Sequence, residues 1–226
     1  MAKSSQNEGT NQDMVISYLT IRKAVGWLGF LFPAILFIGT WLIGGCACLR
    51  DSVSSYYYTV MVTYFAGTLC AVGLFLFTYK GYDRMDQLSS NAGAVFALGI
   101  VFFPTDITSV CTCLNIITRA PHPFINAVHY VSAGLFFVTM AYISMFLFTK
   151  TNPGQPSTKQ KLKRNIVYKT CAWMMIVAMC LIPCLKLVPA DSPLLNVRPE
   201  FWLESIILMS FGVSWLIKGE TLLKDK

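Results

Sequence analysis

Ionisable and hydroxyl side chains are scarce in this chain, and those that interrupt apolar stretches mark where chemistry would sit. Glu204 lies about one turn into the last apolar segment, with Glu200 four residues earlier and so on the same helical face. His129 stands near the start of another apolar segment, with Ser132 three residues on. Asp106 follows Pro104 and Thr105, and Asp51, Ser54 and Ser55 lead into the Tyr56–Tyr58 run. A carboxylate, an imidazole and a hydroxyl at one depth would make a polar pocket. Burial there would shift their proton affinities and suit them to proton transfer or to holding a polar headgroup. Glu204, His129, Asp106, Ser132 and Ser54 are therefore the candidate pocket residues. An unpaired charge at membrane depth costs ~2.5–3.5 kcal/mol or more, so such residues need a partner or a ligand.

Eight cysteines add a second pattern. Cys46 and Cys48 form one C-x-C at the outer end of the first apolar segment, and Cys111 and Cys113 another just beyond the third. If both face an oxidising compartment, disulfides joining two loops are the favoured reading. A four-thiolate metal site is the alternative, because soft thiolates suit zinc or copper(I). No cofactor is predicted, and a metal at the polar pocket or at these cysteines is the less favoured option. Cys70, Cys171, Cys180 and Cys184 lie within apolar segments and read as small packing residues.

The elements that position these groups follow from composition. Of 226 residues, 55% are hydrophobic and 13% charged, about half the charge of a typical soluble domain. Mean hydropathy is +0.56. The apolar residues come in blocks near the ~20 residues that cross a ~30 Å hydrocarbon core, without the alternation of barrel strands. The fold class is all-α: a polytopic membrane bundle with six expected spans, at about 24–47, 58–79, 92–110, 126–148, 166–187 and 201–217. Residues 1–23 form an N-terminal cytoplasmic segment, 24–217 the six-helix membrane domain, and 218–226 a cytoplasmic tail. Of the 18 Lys and Arg, all but Arg50, Arg119, Lys186 and Arg198 fall on one side of this arrangement. The positive-inside rule then places both termini in the cytoplasm and the candidate pocket outside.

The net charge of +7 is spread beside apolar segments and argues against a nucleic-acid partner. Membrane lipids are the expected partners, with anionic headgroups against the basic 159–169 segment. In the loop KGYDRMDQLSSN, Ser89, Ser90 or Asn91 is expected to cap the third span, and Lys218–Glu220 to pair with that loop. Gly67 with Ala71 and Gly93 with Ala97 are expected to allow close helix packing. Pro183 is expected to kink the fifth span. The P-loop, the G-x-S-x-G elbow and H-E-x-x-H are absent.

The Ser-rich entry to the second span, Asp106, His129 and the acid on the last span loosely resemble the ceramidase and adiponectin-receptor class of membrane hydrolases. That resemblance implies hydrolysis of lipid amides or esters. The class binds zinc through three histidines, including an H-x-x-x-H pair on its last core helix, and has seven core spans. Here the final helix reads FWLESIILMSFGVSW and carries no histidine. The phrases SSYYYT, KGYDR, ALG-x-x-FFPT, FWLE and SW-x-x-KGE are also similar to those of small uncharacterised bacterial multispanning membrane proteins, which implies an inner-membrane location and no particular activity. The functions expected are therefore binding of a lipid or small ligand in an outer-leaflet pocket, with a membrane-embedded hydrolase or a proton-coupled transporter carried by Glu204 as alternatives.

Overall fold

The computed structural model describes residues 2–79, 83–107, 116–117, 120–151, 158–221 and 223, with side chains from residue 18 onward. Among the described residues the only regular secondary structure is helical, and there is no strand. The helices are α1 (Ala2–Gly44), α2 (Val62–Thr78), α3 (Arg84–Phe102), α4 (Pro123–Tyr142), α5 (Lys159–Cys184), the single turn α6 (Pro193–Asn196) and α7 (Pro199–Lys218). A 3-10 turn, Ser54–Tyr58, precedes α2, and α4 runs on into a π-helical turn, Ile143–Leu147. Four helices are long and apolar enough to cross a membrane: α1 from Tyr18, α4 with its π turn, α5 with its 3-10 extension to Leu187, and α7.

Helix boundaries follow local chemistry more closely than hydropathy. The third span was expected at 92–110, but α3 begins at Arg84 and ends at Phe102. Asp83 is its N-cap, with Oδ1 accepting from Asp86 N at 3.0 Å, so polar residues that read as loop form its first turns. Ser89 and Ser90 are not caps. Their hydroxyls donate back to the carbonyls of Met85 and Asp86, and Asn91 lies within α3. The helix stops where Phe103 precedes Pro104, because the proline ring disfavours helical geometry in the residue before it. Asp106 therefore sits in a non-helical segment beyond α3. At the other terminus, α1 continues back to Ala2 without a break at the expected boundary near residue 23.

Among the described residues the helices close into a ring in which α1 touches α2, α2 touches α3, α3 touches α4 and α4 touches α5. Helix α7 closes the ring between α5 and α1, leans inward to touch α4, and is buried over most of its length. Its packing on α1 depends on glycines. A Cβ at Gly212 would lie 2.4 Å from Phe30 N, and one at Gly26 would lie 2.7 Å from Leu216 N. Such close approach is what small residues permit between helices in lipid. The expected pairing through Gly67 is not found, since nothing lies within 4 Å of its Cβ position. Gly93 does meet a neighbour, the Met140 methyl of α4.

Candidate functional site

The Glu204 end of the bundle is stitched together by polar contacts between remote segments. Glu204 projects from the second turn of α7, and its Oε2 accepts from Val53 N at 2.6 Å and Ser54 N at 3.2 Å. These N–H groups open the Ser54–Tyr58 turn and have no partner within it, so the carboxylate acts as their cap from 150 residues away. Asp51 fixes the same loop twice. Its carbonyl accepts from Phe201 N at 3.0 Å, and its carboxylate pairs with Arg198 at 2.5 Å. Arg198 takes a left-handed conformation, with φ 54° and ψ 58°, which for a residue with a side chain costs about 1–3 kcal/mol. It sits between α6 and Pro199 at the start of α7, and the ion pair holds it there.

The other candidates gather on α3 and α4. His129 is buried, and its Nδ1 lies 2.9 Å from the Phe103 carbonyl. A carbonyl only accepts, so the proton resides on Nδ1 and the imidazole satisfies the last carbonyls of α3. The Asp106 carboxylate accepts from His122 N at 3.0 Å at the start of α4, and Asp106 N donates to Asn126 Oδ1 at 3.1 Å. Ser132 is buried, with its hydroxyl 2.5 Å from where a Cβ on Gly99 would stand. Tyr58 donates its hydroxyl to the Thr105 carbonyl, tying the 3-10 turn to this corner.

A cavity of about 680 Å³ opens at this end between α4, α5 and α7, within the ~300–1,000 Å³ range of small-molecule sites. Glu204 lines it, together with Glu200, Asp51, Lys186, Arg198 and Tyr130. The rest of its lining is largely apolar and includes Phe137, Met179, Ile182 and Ile207. His129, Asp106, Ser132 and Ser54 are not among its lining residues. Ser54 instead faces the Glu204 carboxylate from the far side. His129 turns toward α3 while its neighbour Tyr130, about 100° further round α4, faces the cavity. The expected constellation thus resolves into a Glu204–Ser54 pair at the cavity wall and a separate Asp106–His129–Ser132 corner that secures α3 to α4.

Sequence reasoning missed Lys186, Arg198 and Tyr130 as lining residues and gave Glu200 only as a same-face neighbour. The Glu200/Glu204 spacing was the available signal, because two acids one turn apart in an apolar helix share a face. Once Asp51 is paired with Arg198, the cavity holds two carboxylates, Glu200 and Glu204, against one ammonium. That ammonium, Lys186 Nζ, lies 5.4 Å over the Tyr130 ring.

Beside this end, Arg50 is almost completely buried, with Nε and Nη2 lacking hydrogen-bond partners. Burial lowers its pKa from the usual guanidinium value, opposed by Tyr56 and Asp51. Burial likewise pushes the Tyr56 phenol up to about 12, opposed by Arg50, so the phenol stays neutral. Cys46 and Cys48 are disulfide-bonded, and the second C-x-C, Cys111 and Cys113, lies outside the described residues. Cys171 is buried, as expected for a packing residue, whereas Cys180 and Cys184 are exposed on the outer surface of α5. Among the described residues no three His, Cys, Asp or Glu side chains converge into a group able to hold a metal. No protein-family model, curated protein or solved structure matches the chain.

Proposed function

We propose that this is a six-span, multi-pass protein of a bacterial inner membrane, with both termini cytoplasmic, that binds an amine-bearing amphiphile in the cavity at the Glu204 end. The amphiphile class is that of a phosphoethanolamine-type lipid drawn from the outer leaflet. The cavity carries this reading: the carboxyl groups of Glu200 and Glu204 and one lysine share its lining with apolar side chains. An ammonium would sit against Glu200 and Glu204, a phosphate against Lys186, and the first methylenes of a chain against Phe137, Met179 and Ile207. The four long apolar helices support membrane insertion. The concentration of Lys and Arg at the opposite end supports the orientation.

In this reading the Asp106–His129–Ser132 corner is structural, and the disulfides of Cys46 and Cys48 keep the shape of the loop that carries them. The test is identification of lipid that co-purifies with wild type and with Glu200→Gln/Glu204→Gln. Wild type is expected to retain phosphatidylethanolamine at about one per chain, and the double variant to lose it. Retention of phosphatidylglycerol instead, or equal retention by both proteins, would refute the assignment.

A further inference from the structure

Helix geometry orders the cavity at the Glu204 end along its length. Helices α4 and α7 start at this end and α5 finishes there, since Tyr130 of α4 meets Lys186 of α5 and Phe201 of α7 bonds to the Asp51 loop. Moving away from it, α4 contributes Tyr130, then Gly134 and Phe137; α7 contributes Glu204, then Ile207; α5 contributes Lys186, then Met179. Past Tyr130, Glu204 and Lys186, these three helices add no polar side chain to the lining. Tyr130, Gly134 and Phe137 are spaced i, i+4 and i+7 and so form one stripe along the α4 axis, about 10 Å long at 1.5 Å per residue. Helix α4 is one of the four apolar helices long enough to span, so this stripe runs in the direction in which lipid chains lie.

Gly134 leaves a gap in the middle of that stripe, and close packing does not account for it. A glycine inside a helix is destabilising relative to alanine, and in membrane helices the usual compensation is close approach of a neighbour. Gly26 and Gly212 show that compensation between α1 and α7, and Gly93 shows it against Met140. At Gly134 no described atom lies within 4 Å of the Cβ position. Gly67 is equally open, but it is exposed and is not among the residues lining this cavity. Gly134 is half-buried and does line it, so the space a side chain would take there is cavity space. A polar group in that apolar stretch would find no partner, whereas a hydrocarbon chain needs none.

We propose that Gly134 is the specificity-determining residue of the cavity: its missing side chain leaves a slot along α4 that admits the unbranched hydrocarbon chain of the bound amphiphile. With the headgroup at Glu200 and Glu204, the slot selects amphiphiles whose chain is long enough to pass Gly134. The slot rests on the reading of the cavity as an amphiphile site, and adds which part of that molecule α4 selects.

The test is calorimetric titration of the detergent-solubilised full chain with butyl- and decyl-phosphoethanolamine, using wild type, Gly134→Leu and Glu200→Gln/Glu204→Gln. Each compound partitions into detergent equally for every variant, so ratios between variants report the cavity alone. Gly134→Leu is expected to weaken the decyl compound at least about fivefold, the lower end of the cost of overpacking an apolar site, and the butyl compound by less than about twofold. Gly134→Cys gives a second reading should the leucine variant fail to fold. The decyl compound, and not the butyl one, should protect its thiol from a small alkylating reagent, with the modified position located by mass spectrometry. Equal weakening of both chain lengths by leucine, no weakening of either, or a thiol that neither compound protects would overturn the slot. The headgroup assignment would survive that result if Glu200→Gln/Glu204→Gln still lost affinity. Chain-length selection at Gly134 with no effect of the two acids would keep the slot and remove the amine-binding reading. Failure of wild type to bind the decyl compound would overturn both.

Discussion

Removing the Glu204 side chain should loosen the Glu204 end of the bundle by an amount the hydrogen bonds define. Glu204→Ala leaves Val53 N and Ser54 N, at 2.6 and 3.2 Å from Oε2, without an acceptor. Each stranded N–H costs about 1–3 kcal/mol. The adjoining cavity admits water to part of the site, so the lower half of that range applies and the total is about 2–4 kcal/mol. Glu204→Gln keeps one acceptor oxygen and loses only the charge-assisted increment, about 1–2 kcal/mol for the pair. Thermal unfolding in a mild detergent, followed by intrinsic fluorescence, reads the difference. For a chain of this size ~1 kcal/mol corresponds to roughly 2–4 °C. The alanine variant should melt about 5–15 °C below wild type, and the glutamine variant between them. If alanine and glutamine fall equally, charge and not the acceptor is what matters, and the capping argument fails. If neither falls, Glu204 does not hold the 3-10 turn.

Other perturbations probe other parts of the structure. Gly212→Ala would set a methyl 2.4 Å from Phe30 N and force α1 and α7 apart, costing at least about 1–3 kcal/mol; a melting temperature at or above wild type would contradict this packing. Lys150→Met removes the partner of Asp83 and of the buried Asp86. The energy lies in the pair with the buried Asp86, and because Lys150 is about one-third exposed its loss is discounted to about 1–3 kcal/mol at neutral pH. The Lys150 hydrogen bond lowers the Asp83 pKa from 3.8, so its share of stability is present above that value and fades as pH falls below it. The gap between the melting curves of wild type and Lys150→Met should therefore narrow in acid by the Asp83 share, and a constant gap down to the lowest accessible pH would contradict the linkage. In a Cys180→Ser/Cys184→Ser background, a membrane-impermeant maleimide added to intact cells should label the chain only after reduction. Labelling without reduction would sink the cross-link, and labelling confined to permeabilised cells would sink the orientation.

The legible parts of the fold were those set by hydropathy over long windows. Helices α1, α4, α5 and α7 stood out as uninterrupted apolar blocks. Helix α3 was misplaced because Arg84, Asp86 and Gln87 look like loop, although Asp83 as cap and Pro104 as terminator were both readable signals. Glu204 was conspicuous as an isolated acid in an apolar helix, but its partners are backbone N–H groups far away in the chain and carry no residue-type signature. The same applies to His129, whose partner is the Phe103 carbonyl. Which face of α4 turns to the cavity depends on where α5 and α7 pack, so Tyr130 and Lys186 could not be grouped with Glu204 from spacing.

The central claim is most directly tested by calorimetric titration of the detergent-solubilised chain with short-chain phosphatidylethanolamine and with phosphatidylglycerol of the same chain length. The account predicts saturable binding of the ethanolamine lipid at one per chain, weakened at least about tenfold in Glu200→Gln/Glu204→Gln by loss of the charged contacts. It also predicts no comparable weakening of phosphatidylglycerol by that substitution. Equal binding of the two lipids at a site sensitive to Glu200 and Glu204, or ethanolamine-lipid binding indifferent to both carboxylates, would contradict it.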